Sequence, residues 1–475
     1  MSIVDSIDYT KILPMAVESR SRRRGFVPSN GSVFVSSSNN IIEIPVSAAA
    51  FLDTKHSFLR FTLNNTSGQT FGVDFGGGHS FINRLRVLQG GNVLSDCREY
   101  NRLMSAIILP CQSEESLVGT RSIREGVRFA NSAVAGGAGV LAPAGAAAEI
   151  TGACINTPTN ANDSTAAVGG SYVFSVPLMN GLLGTTQDKL VPLFLLNNAP
   201  ILIEITLENV ANRVGTFGAG VTQYTIQDVR YMASLVETGP EVENQIRMVQ
   251  QASGGRLVLN GVDYIHHPGN VSANARGRLM LPMPVRKKSI KSVLFACQST
   301  SFAAQAQNVV YDLSHSGSMN IVDYQLVFGS KRIPQIPIRL DSAGTGLFDN
   351  KSEVVEELAK CFGTTKSAHG LGVISRINWG NQNGTNATMP NASAGGAAMR
   401  THRFCPFGID TEAFQPDGKG GGALESGIDT ASDSTPLYLA IDVHSATNEA
   451  FVVDMYAVCD TLYIIDQVGN LRTAL

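Results

Sequence analysis

Two stretches of this sequence recur at nearly one spacing. Ile82-x-x-Leu85-x-Val87-x-x-Gly90 is matched by Ile321-x-x-Tyr324-x-Leu326-x-x-Gly329, and the run from Ala199 to Leu207 is matched by that from Thr435 to Val443. Gly90 and Gly329 lie 239 residues apart and Pro200 and Pro436 lie 236 apart, in a chain of 475. Each stretch alternates apolar and polar positions, the period that puts every second side chain on one face of a strand. Shared order and shared offset, close to half the chain length, predict two copies of one β unit. At ~100–200 residues per domain the length alone allows two to four domains of any class.

The rest of the chain fits that reading. Short strands are predicted over Ser32 to Val35, Ile41 to Val46, Phe58 to Leu63, Phe81 to Leu88, Ser171 to Val176, Pro200 to Leu207 and Tyr224 to Leu235, with Leu193 to Leu196 as a further apolar run. In Pro200 to Leu207, Ile201, Ile203, Ile205 and Leu207 share one face, with Glu204 and Thr206 opposite. Both halves close on strand-rich runs, Thr225 to Val236 and Phe451 to Ile465. Helix signals are fewer: Asp96 as a cap over Arg98 to Ile108, Asn350 as a cap over Glu353 to Cys361, and Val242 to Gln251. Many short strands with few helices favour a sandwich, barrel or jelly roll over an alternating β-α-β fold. The chain divides into an arm at 1–30, a first β unit at 31–236, a linker at 237–254 with a helical pattern, and a second β unit at 255–475. Residues 131–170 and 380–430 are rich in Gly, Ala and Asn and read as long surface loops, a feature that usually signals function or mobility.

Composition narrows the class. Apolar residues are 43%, enough for a large core, whereas charged residues are only 16%, against roughly 25% in an average soluble chain. So few charges suit a surface of Ser, Thr, Asn and Gly, or one packed against copies of itself. The net charge of −3 argues against a dedicated nucleic-acid binder. No apolar run of about 18 residues predicts a membrane-spanning helix, and the N-terminus carries no secretory signal pattern. The seven cysteines are scattered, odd in number and without a CxxC pair, and read as reduced, mostly buried thiols.

Catalytic constellations are sparse. Gly76-Gly77-Gly78 lacks any surrounding dinucleotide fingerprint and reads as a flexible turn. His266-His267 would point to opposite faces of a strand and so could not share a metal; a polar loop pair is the plainer reading. His315 between two serines has no GxSxG elbow, and Cys405 near His402 sits among Gly and Pro. No catalytic residue, cofactor or metal site is predicted.

One charge cluster stands apart. Arg20, Arg22, Arg23 and Arg24 fall within five residues of the N-terminal arm, before the first predicted strand. Such charge can contact phosphates without any fold, or pair with acidic groups on an adjacent subunit, and the two readings stay open. A second basic group, Arg286-Lys287-Lys288 with Lys291, reads as a solvated loop.

The segment Tyr324-Gln325-Leu326-Val327-Phe328-Gly329-Ser330-Lys331-Arg332-Ile333-Pro334-Gln335-Ile336-Pro337-Ile338 resembles part of double jelly-roll major capsid proteins. Gly181-Leu182-Leu183-Gly184, Leu190 to Leu196 and Pro200 to Leu207 resemble the corresponding first-domain segment in Polinton-like viruses, adintoviruses and virophages, and Gly31 to Asp53 resembles that family's first strands. The resemblance runs over most of the chain from about residue 30, with Tyr324, Gly329, Pro334 and Pro337 as its structural motif. It implies an all-β chain of two tandem jelly rolls with a few short helices and long loops. It further implies homotrimeric, pseudo-hexagonal capsomers tiling an icosahedral shell around double-stranded DNA, and hence a place in the virion. Penton and minor capsid proteins would be partners, with non-specific DNA contact through the arginines; an internal membrane stays open. The alternative is a two-domain β-sandwich that binds carbohydrate or acts as an adhesin. Its single tryptophan, Trp379, and lack of a paired carboxylate weigh against that.

Overall fold

The computed structural model describes residues 19–64, 74–112, 120–126, 171–186, 189–209, 224–300, 313–314, 316–340, 351–362, 404–412, 427–432, 435–444 and 450–474. In the first half these form β1 (Ser19–Phe26), β2 (Val33–Val35), β3 (Ile41–Val46), β4 (Phe51–Asn64), β5 (Ile82–Gln89), β6 (Asn92–Arg98), β7 (Ser171–Val176), β8 (Val191–Pro192), β9 (Ile201–Leu207) and β10 (Thr225–Thr238). Two short helices, α1 (Tyr100–Leu103) and α2 (Thr120–Arg124), accompany them. Helix α3 (Pro240–Ala252) leads into the second half. There follow β11 (Arg256–Val271), β12 (Gly277–Met283), β13 (Ile290–Ser299), β14 (Ile321–Phe328), β15 (Lys331–Arg339), α4 (Lys351–Cys361), β16 (Pro406–Asp410), β17 (Leu437–Val443), β18 (Phe451–Asp466) and β19 (Leu471–Ala474).

The strands build four antiparallel sheets, two from each half. The first half pairs β1-β10-β4-β7 in one sheet and β3-β9-β5-β6 in the other; the second pairs β11-β18-β13-β16 and β12-β17-β14-β15. The two halves therefore share one strand order, element for element: β1 corresponds to β11, β10 to β18, β9 to β17 and β5 to β14. The repeated segments of the sequence are β5 with β14 and β9 with β17, the adjacent central strands of one sheet in each half. Period-two patterning turns Ile201, Ile203, Ile205 and Leu207 inward, all buried, while Leu202, Glu204 and Thr206 face outward. Prolines inside strands cannot donate to a ladder, and Pro45, Pro268, Pro282, Pro334 and Pro337 all fall on strands at the ends of these four rows.

Each sandwich closes on aromatic contacts between its sheets. In the first, Phe61 on β4 meets Phe81, just before β5, with ring centroids 6.0 Å apart. In the second, Tyr324 on β14 packs edge-on against Phe295 on β13 at 5.2 Å and Phe407 on β16 at 5.4 Å. The turns that precede β6 and β15 are two residues long, too tight for ordinary backbone angles. Gly90 and Gly91 take φ of 56° and 85°, and Gly329 takes φ of 59°.

Several local expectations are corrected. The arginines do not lie in an arm ahead of the first strand: Ser19–Phe26 is itself a strand, paired with β10 over eight residues. Asp96 caps no helix. It lies on β6, where Arg84 grips it with two hydrogen bonds of 2.7 and 2.6 Å, and the helix starts only at Tyr100, after Glu99 in left-handed geometry. Leu193 to Leu195 is a 3-10 turn; its side chains are buried and lack the alternation that a strand face requires. Gly77 and Gly78 belong to a buried 3-10 helix, where a Cβ on Gly77 would fall 2.2 Å from the Glu125 carbonyl oxygen. The Gly-rich stretch 380–430 contributes strand β16, whereas 131–170, His315, His402, Trp379 and the Asn350 cap lie outside the described residues.

Candidate functional site

On β1, Ser19 through Gly25 are exposed, and alternation sends Arg20, Arg22 and Arg24 to one face and Arg23 to the other. Arg22 pairs with Glu237 at 2.8 Å, Arg23 lies over the Phe58 ring at 4.9 Å and Arg24 over the Phe26 ring at 4.9 Å. Cation–π contact and an ion pair thus hold three of the four side chains along the sheet. Among the described residues β1 pairs on one side only, with β10, and a row of arginines is one way an outer edge avoids promiscuous pairing.

β11 is the equivalent strand, and its outer edge is covered. The Gly181 amide donates to the Val262 carbonyl at 2.9 Å, the Val262 amide to Thr185 Oγ1 at 3.0 Å, and the Tyr264 amide to Asn180 Oδ1 at 3.2 Å. All three donors or acceptors opposite β11 come from the first half. The Gly181-Leu182-Leu183-Gly184 motif therefore sits at the seam. Gly181 has φ of +59°, and a Cβ there would lie 2.6 Å from the Tyr463 hydroxyl and 2.7 Å from Ser95.

Deeper in the seam the contacts become ionic. Arg102, on α1 and fully buried, donates Nε to Asp454 Oδ2 at 3.1 Å and Nη1 to the Leu313 carbonyl. His266 Nε2 meets the other Asp454 oxygen at 3.1 Å, and the Tyr456 hydroxyl donates to the Glu99 carbonyl at 2.8 Å. Asp74 receives the Ser314 amide at 3.4 Å; its burial pushes the carboxyl up to about 7, against the opposing pull of Ser314 and the Gly76 amide. Farther along, Gln89 bridges the halves, donating to the Gly469 carbonyl at 3.0 Å and accepting the Leu471 amide.

The remaining candidates resolve into structure. His266 and His267 are strand residues on β11, not a loop pair. Lys287 and Lys291 are not a solvated cluster: Lys287 reaches Asp263 at 3.5 Å, and Lys291 reaches Glu412 at 3.1 Å and Asp460 at 3.5 Å. A second ionic cluster joins the buried His79 and Arg121 and the exposed Arg124 to the buried Glu125. Burial raises that carboxyl, and the hydrogen bond from His79 and the charge of Arg121 outweigh it, holding it at about 2. Its oxygens and His79 are closed off from solvent, which suits a structural role. Cys405 is buried, and Tyr324 is a core residue whose hydroxyl donates to the Gly408 carbonyl at 3.4 Å. Pro334 and Pro337 lie on the outer strand β15. Among the described residues no group of three or more His, Cys, Asp or Glu is arranged to hold a metal, and no helix is long and apolar enough to cross a membrane. Sequence reading missed the Arg102–Asp454 pair. The legible trace was Asp454, a carboxylate inside the mostly apolar run Phe451 to Ile465.

Two β sandwiches of one strand order, joined side by side in a single chain, define a double jelly roll. The comparisons agree. The PBCV-1 protein VP54, as fitted into a reconstruction of the virophage Sputnik, matches with a TM-score of 0.58 at 10% identity, over 98% of this chain and 99% of that one. The Sputnik virophage structure itself matches with a TM-score of 0.54 at 10% identity, over 100% and 92%. The Faustovirus major capsid protein matches at 0.51 and 9% identity, over 95% and 91%. No protein-family model matches the sequence, and no curated protein matches it.

Proposed function

We propose that this protein is a viral major capsid protein, a structural subunit of the virion without enzymatic activity. One observation carries the reading: β11 and β1 are equivalent strands, yet the outer edge of β11 is covered by the first half of its own chain, while among the described residues no strand pairs with the outer edge of β1. The seam is a template for packing one sandwich sideways on another. Repeated between chains, it places the first half of one copy beside the second half of the next, and three copies with two sandwiches each make a ring of six similar blocks. Closed rings are how head-to-tail contacts avoid open filaments. Capsid proteins among the structural neighbours support the same reading.

On this reading the division is a short N-terminal stretch at 1–30, jelly rolls at 31–236 and 255–475, and a linker at 237–254 that carries α3. The arginines of β1 face a neighbouring copy: they are ordered along a sheet edge rather than presented on a free arm. Contact with packaged double-stranded DNA, and with penton and minor capsid proteins, belongs to the assembled shell. Light scattering on the purified protein tests the proposal. A stable trimer of about 150 kDa, three chains of 50.4 kDa, is expected, and negative-stain images should show hexagonal particles. A strict monomer at micromolar concentration would sink it.

A further inference from the structure

The two halves repeat one plan, and one strand departs from it. β6 and β15 hold the same place, each pairing with the repeated strand beside it. On β6 a single residue, Asp96, stands between Ser95 and Cys97, the partners of Val87 and Leu85. On β15 four residues, Pro334 to Pro337, stand between Ile333 and Ile338, the partners of Leu326 and Tyr324. The extra length forms a bulge clasped by Gln325. That side chain is fully buried; its Nε2 donates to the Pro334 carbonyl at 2.6 Å and to the Gln335 carbonyl at 3.2 Å, and its Oε1 accepts from Arg278 at 2.8 Å. Ile336, at the bulge, is 76% exposed. A buried network that fixes an exposed apolar side chain presets a contact, because little ordering is left to be done on binding.

The first half shows what covers this end of the plan. β6 packs against β11 and β19, strands of the other jelly roll. Carried around a ring of copies, the same relation sets β15 beside β1 of another chain, since β1 is the equivalent of β11. The two receiving strands differ in how closely they can be approached. Leu235 and Cys459 are matched by their partners Leu52 and Ile290, at the heads of β4 and β13. Arg22 therefore corresponds to Asp263, and Arg20 to Gly261. Gly261 admits the first half at close range: a Cβ there would lie 2.8 Å from the Gly181 carbonyl oxygen. Arg20 is exposed and holds a neighbour off by the length of a side chain. The wider gap at β1 and the longer β15 offset each other. The chemistry fits as well. The bulge is uncharged, and Pro334 and Pro337 have no N–H, so it presents more acceptors than donors, whereas arginine only donates. We infer that the Pro334–Pro337 bulge docks on β1 of a second copy of this chain, with Ile336 seated on the aliphatic stems of Arg20, Arg22 and Arg24. The inference rests on the reading of the protein as a ring-forming capsid subunit.

The experiment places a photo-crosslinker at the bulge, Ile336→p-benzoylphenylalanine, in the full-length chain, with cross-linked peptides identified by mass spectrometry. The expected product runs at the mass of two chains and joins position 336 to Ser19–Phe26. A trimer whose cross-links from 336 stay within one chain, or never reach β1, would overturn the docking and leave the capsid reading standing. A strict monomer would overturn both. A second variant, Ile336→Asp, alters a side chain that the fold does not bury. It should raise the concentration at which the trimer dissociates by about tenfold or more with unchanged circular dichroism, and Ile336→Leu should stay near the parent. An Ile336→Asp trimer as tight as the parent's would equally refute the docking.

Discussion

Arg102 and Asp454, 352 residues apart in sequence, meet at 3.1 Å in the buried seam between the two jelly rolls. Arg102 is fully buried, and Asp454 carries His266 on its other oxygen. A buried pair of this kind contributes less than its geometry suggests, because both charges have left water. Its loss on one side only is another matter.

Arg102→Leu should destabilise the protein by about 3–5 kcal/mol, since it strands the Asp454 carboxylate and the Leu313 carbonyl. Arg102→Leu/Asp454→Leu should recover part of that loss. Urea unfolding midpoints check both; a single variant as stable as the parent would refute the role given to the pair.

Asp74 makes the seam sensitive to pH. Its folded-state pKa of about 7 lies above the ordinary 3.8, so between those values the folded chain holds a proton that the unfolded chain has released. Stability from this group is therefore full below about pH 4 and is lost as pH rises toward 7, at up to ~1.4 kcal/mol per pH unit. Asp74→Asn removes the dependence. Melting temperatures of the two proteins at pH 5 and pH 7.5 should show the variant gaining on the parent at the higher pH, and a constant difference would count against it.

Two glycines are held by geometry rather than by flexibility. Gly181→Ala should cost more than the ~1–2 kcal/mol of a left-handed side chain, because its Cβ also meets Tyr463 and Ser95. Gly329→Val should disturb the second sandwich, its Cβ falling 2.9 Å from Thr435 Cγ2, while Gly329→Asn should be milder. Thermal midpoints ordered otherwise would contradict this.

Arg20→Glu/Arg22→Glu/Arg24→Glu should leave the fold intact, since all three side chains are exposed, and should lower the yield of trimer. Deletion through Arg24 would be a poorer test, because it would strip most of a paired strand from the sheet. Circular dichroism and light scattering on the variant decide it: a normal fold with a normal trimer would remove β1 from the interface.

Burial pushes the thiols of Cys97, Cys297 and Cys459 up. Iodoacetamide at pH 8 should leave all three unlabelled in the folded protein and label them promptly in urea, as read by peptide mass spectrometry. Rapid labelling of the folded chain would show that these sites open.

Periodicity determined the parts of this protein that local chemistry controls. Ile201, Ile203, Ile205 and Leu207 face inward because alternating apolar side chains have only one buried face to share, and the same rule exposed the duplication through Gly90 and Gly329. Scattered cysteines and the shortage of charge were likewise legible in composition. Where pairing across the chain decides, the residues alone misled. Arg20 to Arg24 read as a free arm, because nothing in that run announces that β10 supplies a partner for every residue of β1. Asp96 read as a helix cap until Arg84, on the neighbouring strand, claimed both of its oxygens. Arg102 carries no local mark at all. Its function as a clasp exists only because folding brings Asp454 within hydrogen-bond distance and removes the water that would otherwise solvate both charges.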